Sequence, residues 1–305
     1  MNTTMKIAVA AVALAAAGAG CASPNGGEAG AKKVLMIGNS FSISCLRHLP
    51  QVAKDRGEDL DLASLYIGGC SLKRHWENVE KGRRDSSFRP YRFDRIVNGE
   101  RTVDGAKRNI PDALGLADWD VVVVQQASHQ SWREETYHPY GDDLVAYIRE
   151  RLPKARIFLQ ETWSYTPWDK RLAKWGIDQN QMYEKLHAAY GAFAKRHDLK
   201  VIPFGTAIQT WRRRLPVKYT EKSFGGDVVG GRGQRAEDRF KRTADNKWVP
   251  NCDVFHLGDG GEYFQALVWA VAIFDGIDLT ELEYRPSFVT ENEAKLMREI
   301  AMGLN

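Results

Sequence analysis

Cysteine, charge of one sign and long hydrophobic runs are all scarce in this 305-residue chain. The 43 lysines and arginines are scattered among 39 aspartates and glutamates, so the formal charge of +4 gives no reason to predict a nucleic-acid partner. The four cysteines form no Cys-x-x-Cys pair and no Cys/His cluster at metal-ligand spacing, which argues against a metal site. No apolar run reaches the ~20 residues of a transmembrane helix. With 43% hydrophobic residues, the sequence predicts a globular domain with a sizeable core.

The beginning of the chain has the features of an export signal. Lys6 precedes an apolar run at 7–17, and small residues at 18–20 follow it, as is typical of a secretory signal. Cys21 comes next and resembles the lipobox cysteine of bacterial lipoproteins, which is lipidated and becomes the mature N-terminus. We therefore predict a signal peptide over 1–21, a flexible tether over 22–31, and a periplasmic or outer-surface lipoprotein anchored to the membrane only through Cys21. Secretion without an anchor is the alternative.

Residues 32–305 alternate between strand-like and helix-like segments. Apolar runs predict five strands, and the four consecutive valines at 121–124 indicate a central parallel strand buried on both faces. Helical spacing separates these runs, which predicts a doubly wound α/β sandwich with a five-stranded parallel sheet. The predicted strands are 33–37, 60–66, 119–124, 156–160 and 200–204, and the predicted helices are 43–56, 72–79, 142–152, 180–197, a short one after 205, 261–274 and 291–302.

Two segments interrupt this alternation. Asn98-Gly99 between alternating stretches predicts a small hairpin insertion near 88–104. The polar, Gly-rich segment 216–251 shows little periodicity and is predicted to be a long loop. The run Arg212-Arg213-Arg214 before it is interpreted as a solvated helix end.

Candidate catalytic residues fall at the carboxyl ends of the strands, where such sheets form their sites. Ser40 lies in Gly38-Asn39-Ser40-Phe41-Ser42, a turn between a strand and a helix, where backbone N–H groups favour an oxyanion. Helix capping alone would also favour these residue types.

A base and its carboxylate follow near the end of the chain. Asp253 and His256 are three residues apart, so both side chains can face inward from one turn. A serine hydroxyl needs a base such as histidine, and the base needs a carboxylate to hold its tautomer. An ordinary surface turn is the alternative interpretation.

Oxyanion donors are expected from two further strand ends. Gln125 and Gln126 end the valine strand, and their amides can donate hydrogen bonds. Gly69 has no side chain, so its backbone N–H can approach a substrate oxygen closely. Turn chemistry explains each of these equally well.

Together these blocks resemble the SGNH (GDSL-like) serine hydrolases over residues 33–272. The Gly-Asn-Ser-Phe-Ser opening is similar to block I with Asn39 in place of the usual Asp, Gly69 matches block II, and Asp253-x-x-His256 matches block V. With the Gln-Gln strand end and the Gln-Glu-Thr-Trp-Ser-Tyr segment at 160–165, the chain looks like a bacterial subgroup of that family.

The resemblance implies a flavodoxin-like fold, a Ser40 nucleophile, a His256 base and an orienting Asp253, with no metal or cofactor. The Ser40 and Gly69 N–H groups would line the oxyanion hole. The usual block III Asn is missing here. Related sialate and xylan O-acetylesterases use Gln at this place, so Gln125 or Gln126 would replace it, with a preference for Gln126.

The remaining strand-end residues suggest a substrate. Trp163 and Tyr165 are candidate platforms for sugar rings, with packing beneath a loop as the alternative. His129 and Glu161 are candidates for binding substrate hydroxyls or supporting the triad.

These residues predict an esterase that removes acetyl or similar acyl groups from glycans. The alternative is a catalytically silent glycan-binding lipoprotein with the same fold. A disulfide between Cys70 and Cys252 is conceivable because each adjoins a proposed site residue, and two thiols are at least as consistent with the sequence.

Overall fold

The computed structural model describes residues 30–304. The predicted signal peptide, Cys21 and nearly all of the tether at 22–31 lie outside the described residues. Across residues 30–304, no helix combines the length and apolar character needed to cross a bilayer. Residues 31 onward form one compact unit.

A seven-stranded, mostly parallel sheet lies at the centre of this unit. Its strands are β1 (Lys32–Gly38), β2 (Leu60–Tyr66), β3 (Tyr91–Val97), β4 (Glu100–Arg108), β5 (Val121–Val124), β6 (Arg156–Gln160) and β7 (Lys200–Ile202). Their spatial order is β4-β3-β2-β1-β5-β6-β7. The four neighbouring pairs β2–β1, β1–β5, β5–β6 and β6–β7 are parallel. The five parallel strands follow the spatial order β2-β1-β5-β6-β7. When these five are renumbered along the chain, the order is 2-1-3-4-5, as in flavodoxin, and its switch point lies between β1 and β5. The predicted fold class is confirmed.

The predicted hairpin is part of this sheet and not a separate insertion. Asn98 and Gly99 both have positive φ, 47° and 87°, as a tight two-residue hairpin requires. β3 pairs antiparallel with β2, and the Asn98 side chain accepts a hydrogen bond from the Leu60 N–H at 2.9 Å. The prediction of a five-stranded sheet was therefore wrong by the two strands of the hairpin.

Helices cover both faces of the sheet. They are α1 (Ser40–Ile43), α2 (Leu49–Asp55), α3 (Leu72–Arg84), α4 (Ile110–Leu114), α5 (Tyr140–Arg151), α6 (Lys170–Trp175), α7 (Gln179–His197), α8 (Phe204–Arg214), α9 (Asp259–Ile273) and α10 (Glu291–Met302). α2, α8 and α10 pack around α9, whereas α3 contacts both α4 and α5 in a second layer. Gly141 of α5 packs closely against Leu72 of α3 and Phe193 of α7. A side chain at position 141 would therefore collide with both residues.

The helix predicted over 43–56 is broken into three pieces. α1 is followed by a 3₁₀ turn over Ser44–Arg47, and α2 begins with Pro50 in its first turn. Proline has no N–H to continue a helix from the preceding turn, which explains the restart. The break leaves α1 as a single short turn directly after β1, so its position depends on contacts from other elements.

The segment 216–251 contains more structure than the sequence predicts. Two short antiparallel strands, β8 (Phe240–Arg242) and β9 (Trp248–Pro250), lie within it. Arg212, predicted to be a solvated helix end, is buried, and its Nη2 lies 2.8 Å from the carboxylate of Asp227. The same guanidinium donates to the Ser164 hydroxyl at 2.8 Å, so it joins the start of this segment to the core.

Replacing Arg212 with Met should lower the free energy of unfolding by about 3–5 kcal/mol, because Asp227 would remain buried without its cation. Urea denaturation measures this. Arg213→Met, at the neighbouring exposed position, is the matched control and should change stability by no more than about 0.5 kcal/mol. Equal effects of the two substitutions would contradict the structural role of the Arg212–Asp227 pair.

Candidate active site

Ser40 is the first residue of α1, immediately after β1. The Asn39 side chain caps this turn by accepting a hydrogen bond from the Phe41 N–H at 3.0 Å. Ser40 is only partly buried, and as the first residue of a helix it has an N–H with no acceptor inside the helix. Both its hydroxyl and its N–H therefore lie at the carboxyl end of β1.

Ser40, His256 and Asp253 are connected by hydrogen bonds. The Ser40 Oγ lies 2.8 Å from His256 Nε2, and His256 Nδ1 lies 2.5 Å from Asp253 Oδ2. A carboxylate can only accept, so the Nδ1 must carry the proton and the Nε2 of the neutral ring is left to accept from Ser40. The side chains of His256 and Asp253 are 31% and 34% exposed, so a solute can reach the site. This geometry is suited to general-base activation of the hydroxyl.

Asp253 is held by the local backbone. Its Oδ1 accepts from the N–H groups of Phe255 and His256, each at 2.8 Å, while its Oδ2 faces the imidazole. Burial raises the pKa of Asp253, but the hydrogen bonds from His256 and Phe255 outweigh it and bring the pKa below the ordinary 3.8. The carboxylate therefore stays ionised in weak acid.

The turn before Ser40 is fixed by a buried amide chain. Gln125, directly after β5, donates to Asn39 Oδ1 at 2.5 Å, and Asn39 Nδ2 donates to the Cys70 carbonyl at 3.0 Å. The ends of β1, β2 and β5 are joined in this way across the switch point of the sheet. Gln125 thus positions the nucleophile turn with one of the two hydrogens on its Nε2, and its assignment as an oxyanion donor stays a prediction.

Two more amides hold the other side of Ser40. Gln160, the last residue of β6, and Gln265 of α9 each donate to the Phe41 carbonyl at 2.7 Å. Gln265 also accepts from the Ser44 hydroxyl at 2.6 Å. Gln160 was recognised only as part of the segment at 160–165 and Gln265 was not predicted, because a glutamine in a strand or helix gives no pattern that marks this role.

Gln126 does not face the site. Its Oε1 accepts from the N–H groups of Leu72 and Ala127 at 3.0 and 2.8 Å, and its Nε2 donates to the Thr136 carbonyl at 2.9 Å. The amide is fully buried and fully used, so the preferred assignment of Gln126 as oxyanion donor is corrected.

Gly69 remains a candidate donor. It lies in the exposed turn after β2 with φ of +61°, a conformation that favours glycine. Among the hydrogen bonds of residues 30–304, none uses the N–H of Gly69 or of Ser40. These two N–H groups stay the predicted oxyanion donors.

The segment that carries Asp253 and His256 is anchored from the neighbouring loop. Trp163 Nε1 donates to the Phe255 carbonyl at 2.8 Å, and the Thr166 hydroxyl donates to the Val254 carbonyl at 2.9 Å. The loop 216–251 holds the same segment from the other side. There Gly230 N–H donates to the His256 carbonyl at 2.7 Å and Gly231 N–H to the Asp253 carbonyl at 3.1 Å.

Trp163 and Tyr165 are not platforms for a sugar. Both side chains are 0% exposed. Trp163 stacks on Phe41 with ring centroids 4.0 Å apart, and the Tyr165 hydroxyl lies 2.8 Å from that of Ser128. They form the floor beneath the nucleophile and the acid–base segment, which is a packing role.

Glu161 is also occupied elsewhere. Its carboxylate accepts from the Thr206 N–H at 2.6 Å, near the start of α8, and lies 2.8 Å from His187 Nδ1, whose pKa this hydrogen bond raises. Glu161 therefore couples helices and does not contact the triad. His129 lies half-buried in the turn after β5, and burial, followed by the charges of Arg171 and Arg133, lowers its pKa. Its role stays a prediction.

Arg171 is a site residue that sequence analysis missed. Its guanidinium lies 4.1 Å from the ring centroid of Phe255 and 4.3 Å from that of Tyr165, and Asp169 holds it by two hydrogen bonds. The guanidinium of Arg171 thus covers the ring of Phe255, the residue next to His256. An arginine in a short helix offers no sequence signal for this placement.

The cysteines of the site region are thiols in this structure. Cys70 is buried, its Sγ lies 3.5 Å from His75 Nδ1, and burial raises its pKa to about 12. Cys252 is partly exposed and unpaired, so the conceivable Cys70–Cys252 disulfide is not formed. Within residues 30–304, no group of three or more His, Cys, Asp or Glu side chains is arranged to hold a metal ion.

Comparison with known proteins gives the family. The model of a family described as "Domain of unknown function (DUF4886)" matches residues 33–229. The chain belongs to this family. The match contains Ser40, Gly69 and Gln125 and ends before Asp253 and His256.

A crystal structure of a DUF4886 protein from Bacteroides uniformis is 27% identical over 90% of this chain and 94% of that chain, with a TM-score of 0.70. A candidate SGNH hydrolase from Slackia heliotrinireducens is 19% identical over 80% and 100% of the two chains, with a TM-score of 0.49. An acetyl xylan esterase is 12% identical over 78% and 97%, with a TM-score of 0.45. No curated protein matches the chain.

The lowered pKa of Asp253 predicts a pH-dependent stability. Its contribution should be fully present above the unfolded-state value near 3.8 and should be lost as the pH falls through the lower folded-state value. The stability difference between the wild type and Asp253→Asn should therefore shrink as urea denaturation is repeated from pH 6 down to pH 3. A difference that stays constant over this range would contradict the assignment.

Asn39→Asp should weaken the nucleophile turn of this DUF4886 protein. The substitution keeps the oxygen that accepts from Gln125 but places a second oxygen against the Cys70 carbonyl in a buried position. We expect the free energy of unfolding to fall by about 1–3 kcal/mol.

Asn180→Asp is the matched control for Asn39→Asp. Asn180 is exposed, and only its oxygen is used, accepting from Gln209 at 2.9 Å. Equal stability of the two variants in urea would show that the Asn39 nitrogen makes no contribution.

Proposed function

We propose that this protein is a serine esterase that hydrolyses small acyl esters, with acetyl esters of carbohydrates as the substrate class. One observation carries the proposal, namely the continuous hydrogen-bonded path from Ser40 Oγ through His256 to Asp253 at a site open to solvent. The fold adds support, because the path lies at the carboxyl ends of the strands beside the switch point.

The first half-reaction would form an acyl-enzyme. Ser40 Oγ attacks the ester carbonyl carbon while its proton passes to His256 Nε2, and the carbonyl electrons move to the oxygen. The tetrahedral intermediate then collapses, the bond to the leaving alcohol breaks, and the alcohol takes the proton from His256. Asp253 stays ionised and stabilises the imidazolium, in agreement with the lowered pKa of its carboxyl group.

The second half-reaction repeats these steps with water. His256 takes a proton from the water, whose oxygen attacks the acyl carbon, and the carboxylic acid leaves as Ser40 regains its proton. Ester and water thus give acid and alcohol, with no cofactor consumed. The N–H groups of Ser40 and Gly69 would bind the oxyanion in both halves, each such donor contributing about 2.7–4 kcal/mol in other serine hydrolases.

A hydrophilic substrate fits the surroundings better than a long alkyl chain. Charged side chains lie around the nucleophile turn, with Arg47, Arg232 and Glu262 close to α1 and the acid–base segment. Trp163 and Tyr165 are buried and cannot stack on a sugar, so the polarity of the site alone supports a carbohydrate substrate. We also propose export and lipid anchoring through Cys21.

The test is hydrolysis of p-nitrophenyl acetate and release of acetate from acetylated oligosaccharides. Ser40→Ala should reduce turnover to the background rate, and Asp253→Asn should lower kcat about 10⁴-fold, because the amide favours the wrong tautomer of His256. A fluorophosphonate probe should label Ser40, as judged by mass spectrometry.

Ser87→Ala, at an exposed position after α3, is the matched control and should keep the wild-type rate. Wild-type turnover no faster than that of Ser40→Ala would overturn the enzyme proposal and leave the silent glycan-binding protein as the better account.

A further inference from the structure

A cleft of about 320 Å³ beside the nucleophile is lined by four arginines. Arg47 follows α1 in the 3₁₀ turn, Arg92 and Arg101 project from the hairpin β3–β4, and Arg232 comes from the loop 216–251. Its volume is at the lower end of the range for small-molecule sites, enough for a sugar ring or part of one.

The cleft lining includes chain neighbours of the candidate triad from two segments. Ile43, in its wall, is one helical turn after Ser40, so the two residues share a face of α1. Arg232 directly follows Gly230 and Gly231, whose N–H groups donate to the segment that holds His256 and Asp253. The cleft lining therefore contains residues that follow the nucleophile in α1 and residues that follow the glycines holding the acid–base segment.

The lining carries an excess of positive charge. It contains two carboxylates, and each is buried and shared by two arginines. Glu262 lies 3.0 Å from both Arg47 and Arg232, and Asp94 lies 3.0 Å from both Arg92 and Arg101. Two carboxylates outside the lining also pair with these arginines. The Asp104 side chain is 67% exposed, so solvent screens its pair with Arg92, whereas Asp259 is 28% exposed and lies 2.9 Å from Arg47.

Three of these guanidinium groups keep donors for a ligand. Arg47 and Arg101 each use Nη1 for their carboxylates, and Arg232 uses Nε. Among the side-chain hydrogen bonds of residues 30–304, none joins Nη2 of Arg47, Arg101 or Arg232 to a carboxylate, and the three side chains are about half exposed. Planar guanidinium groups of this kind bind carboxylate and other oxyanions through paired charge-assisted hydrogen bonds.

We propose that this cleft binds an anionic substituent of the substrate, the carboxylate of a uronic acid whose own ring carries the ester. The proposal rests on the proposed function and makes it narrower, because it predicts acetylated acidic glycans as the substrate class. Sulfate on a sugar offers similar oxygen chemistry, so the test includes both anions.

The test compares three acetylated substrates with the same sugar ring, namely a methyl glucuronoside, a methyl glucoside and a methyl glucoside 6-sulfate. We expect kcat/KM to be about tenfold higher for the glucuronoside than for the glucoside. Arg101→Gln and Arg232→Gln, from opposite walls, should each bring this ratio close to one, and 0.5 M NaCl should reduce it. Arg84→Gln, at an exposed position of α3, is the matched control and should keep the wild-type ratio.

A ratio near one in the wild type, or a ratio that the two cleft variants do not change, would overturn the cleft proposal while esterase activity persists. A preference for the sulfate alone would overturn the uronate assignment.

A binding measurement separates this proposal from the catalytic one. Calorimetry with Ser40→Ala should detect methyl glucuronoside binding that is lost when Arg232→Gln is added, even if turnover is never observed. Binding that is equal with and without Arg232→Gln would count against the cleft, whatever the activity assay shows.

Discussion

The candidate active site depends on buried side-chain amides that hold one short turn of helix. Ser40 stands in a four-residue helix that is too short to be stable alone, since isolated helices need about 12–15 residues even in favourable sequences. Gln125, just after β5, holds the capping side chain of Asn39, while Gln160 of β6 and Gln265 of α9 hold the Phe41 carbonyl. Each is buried, so losing one partner would leave an uncompensated polar group in the core. The rigidity of the sheet is transferred to the hydroxyl through these contacts.

The acid–base segment is held by a different kind of contact. Backbone N–H groups of Gly230 and Gly231 and side chains of Trp163 and Thr166 all donate to its carbonyls. Gly230 has φ of +98°, and a side chain there would meet Phe224 and the Asp253 carbonyl at 3.2–3.3 Å. The long loop therefore has a structural task, because it supports His256 from the side opposite the sheet. The two halves of the site meet through the Ser40–His256 hydrogen bond and the packing beneath it.

Sequence patterns predicted the parts of this structure that local periodicity determines. The five parallel strands and most helices followed from apolar spacing, and Ser40, Asp253 and His256 followed from turn motifs whose side chains the structure brings together. Partner choice across the fold was not predictable. Gln125 and Gln126 come after β5 ends, where strand alternation no longer fixes which side chain faces the site. Trp163 and Glu161 are placed by contacts with distant segments, Phe255 and Thr206, that no spacing rule reveals.

Glu262 connects the proposed anion cleft to both halves of the site. It accepts from Arg47, which follows the nucleophile helix, and it pairs with Arg232, which follows the glycines behind His256. A carboxylate buried on α9 thus fixes two cations relative to Ser40 and His256. Binding energy from a remote substituent speeds a reaction only when it is converted into correct placement of the reacting atoms. Because the same carboxylate orients cations on both sides, an anion bound between them would position the ester against Ser40 instead of merely retaining the substrate.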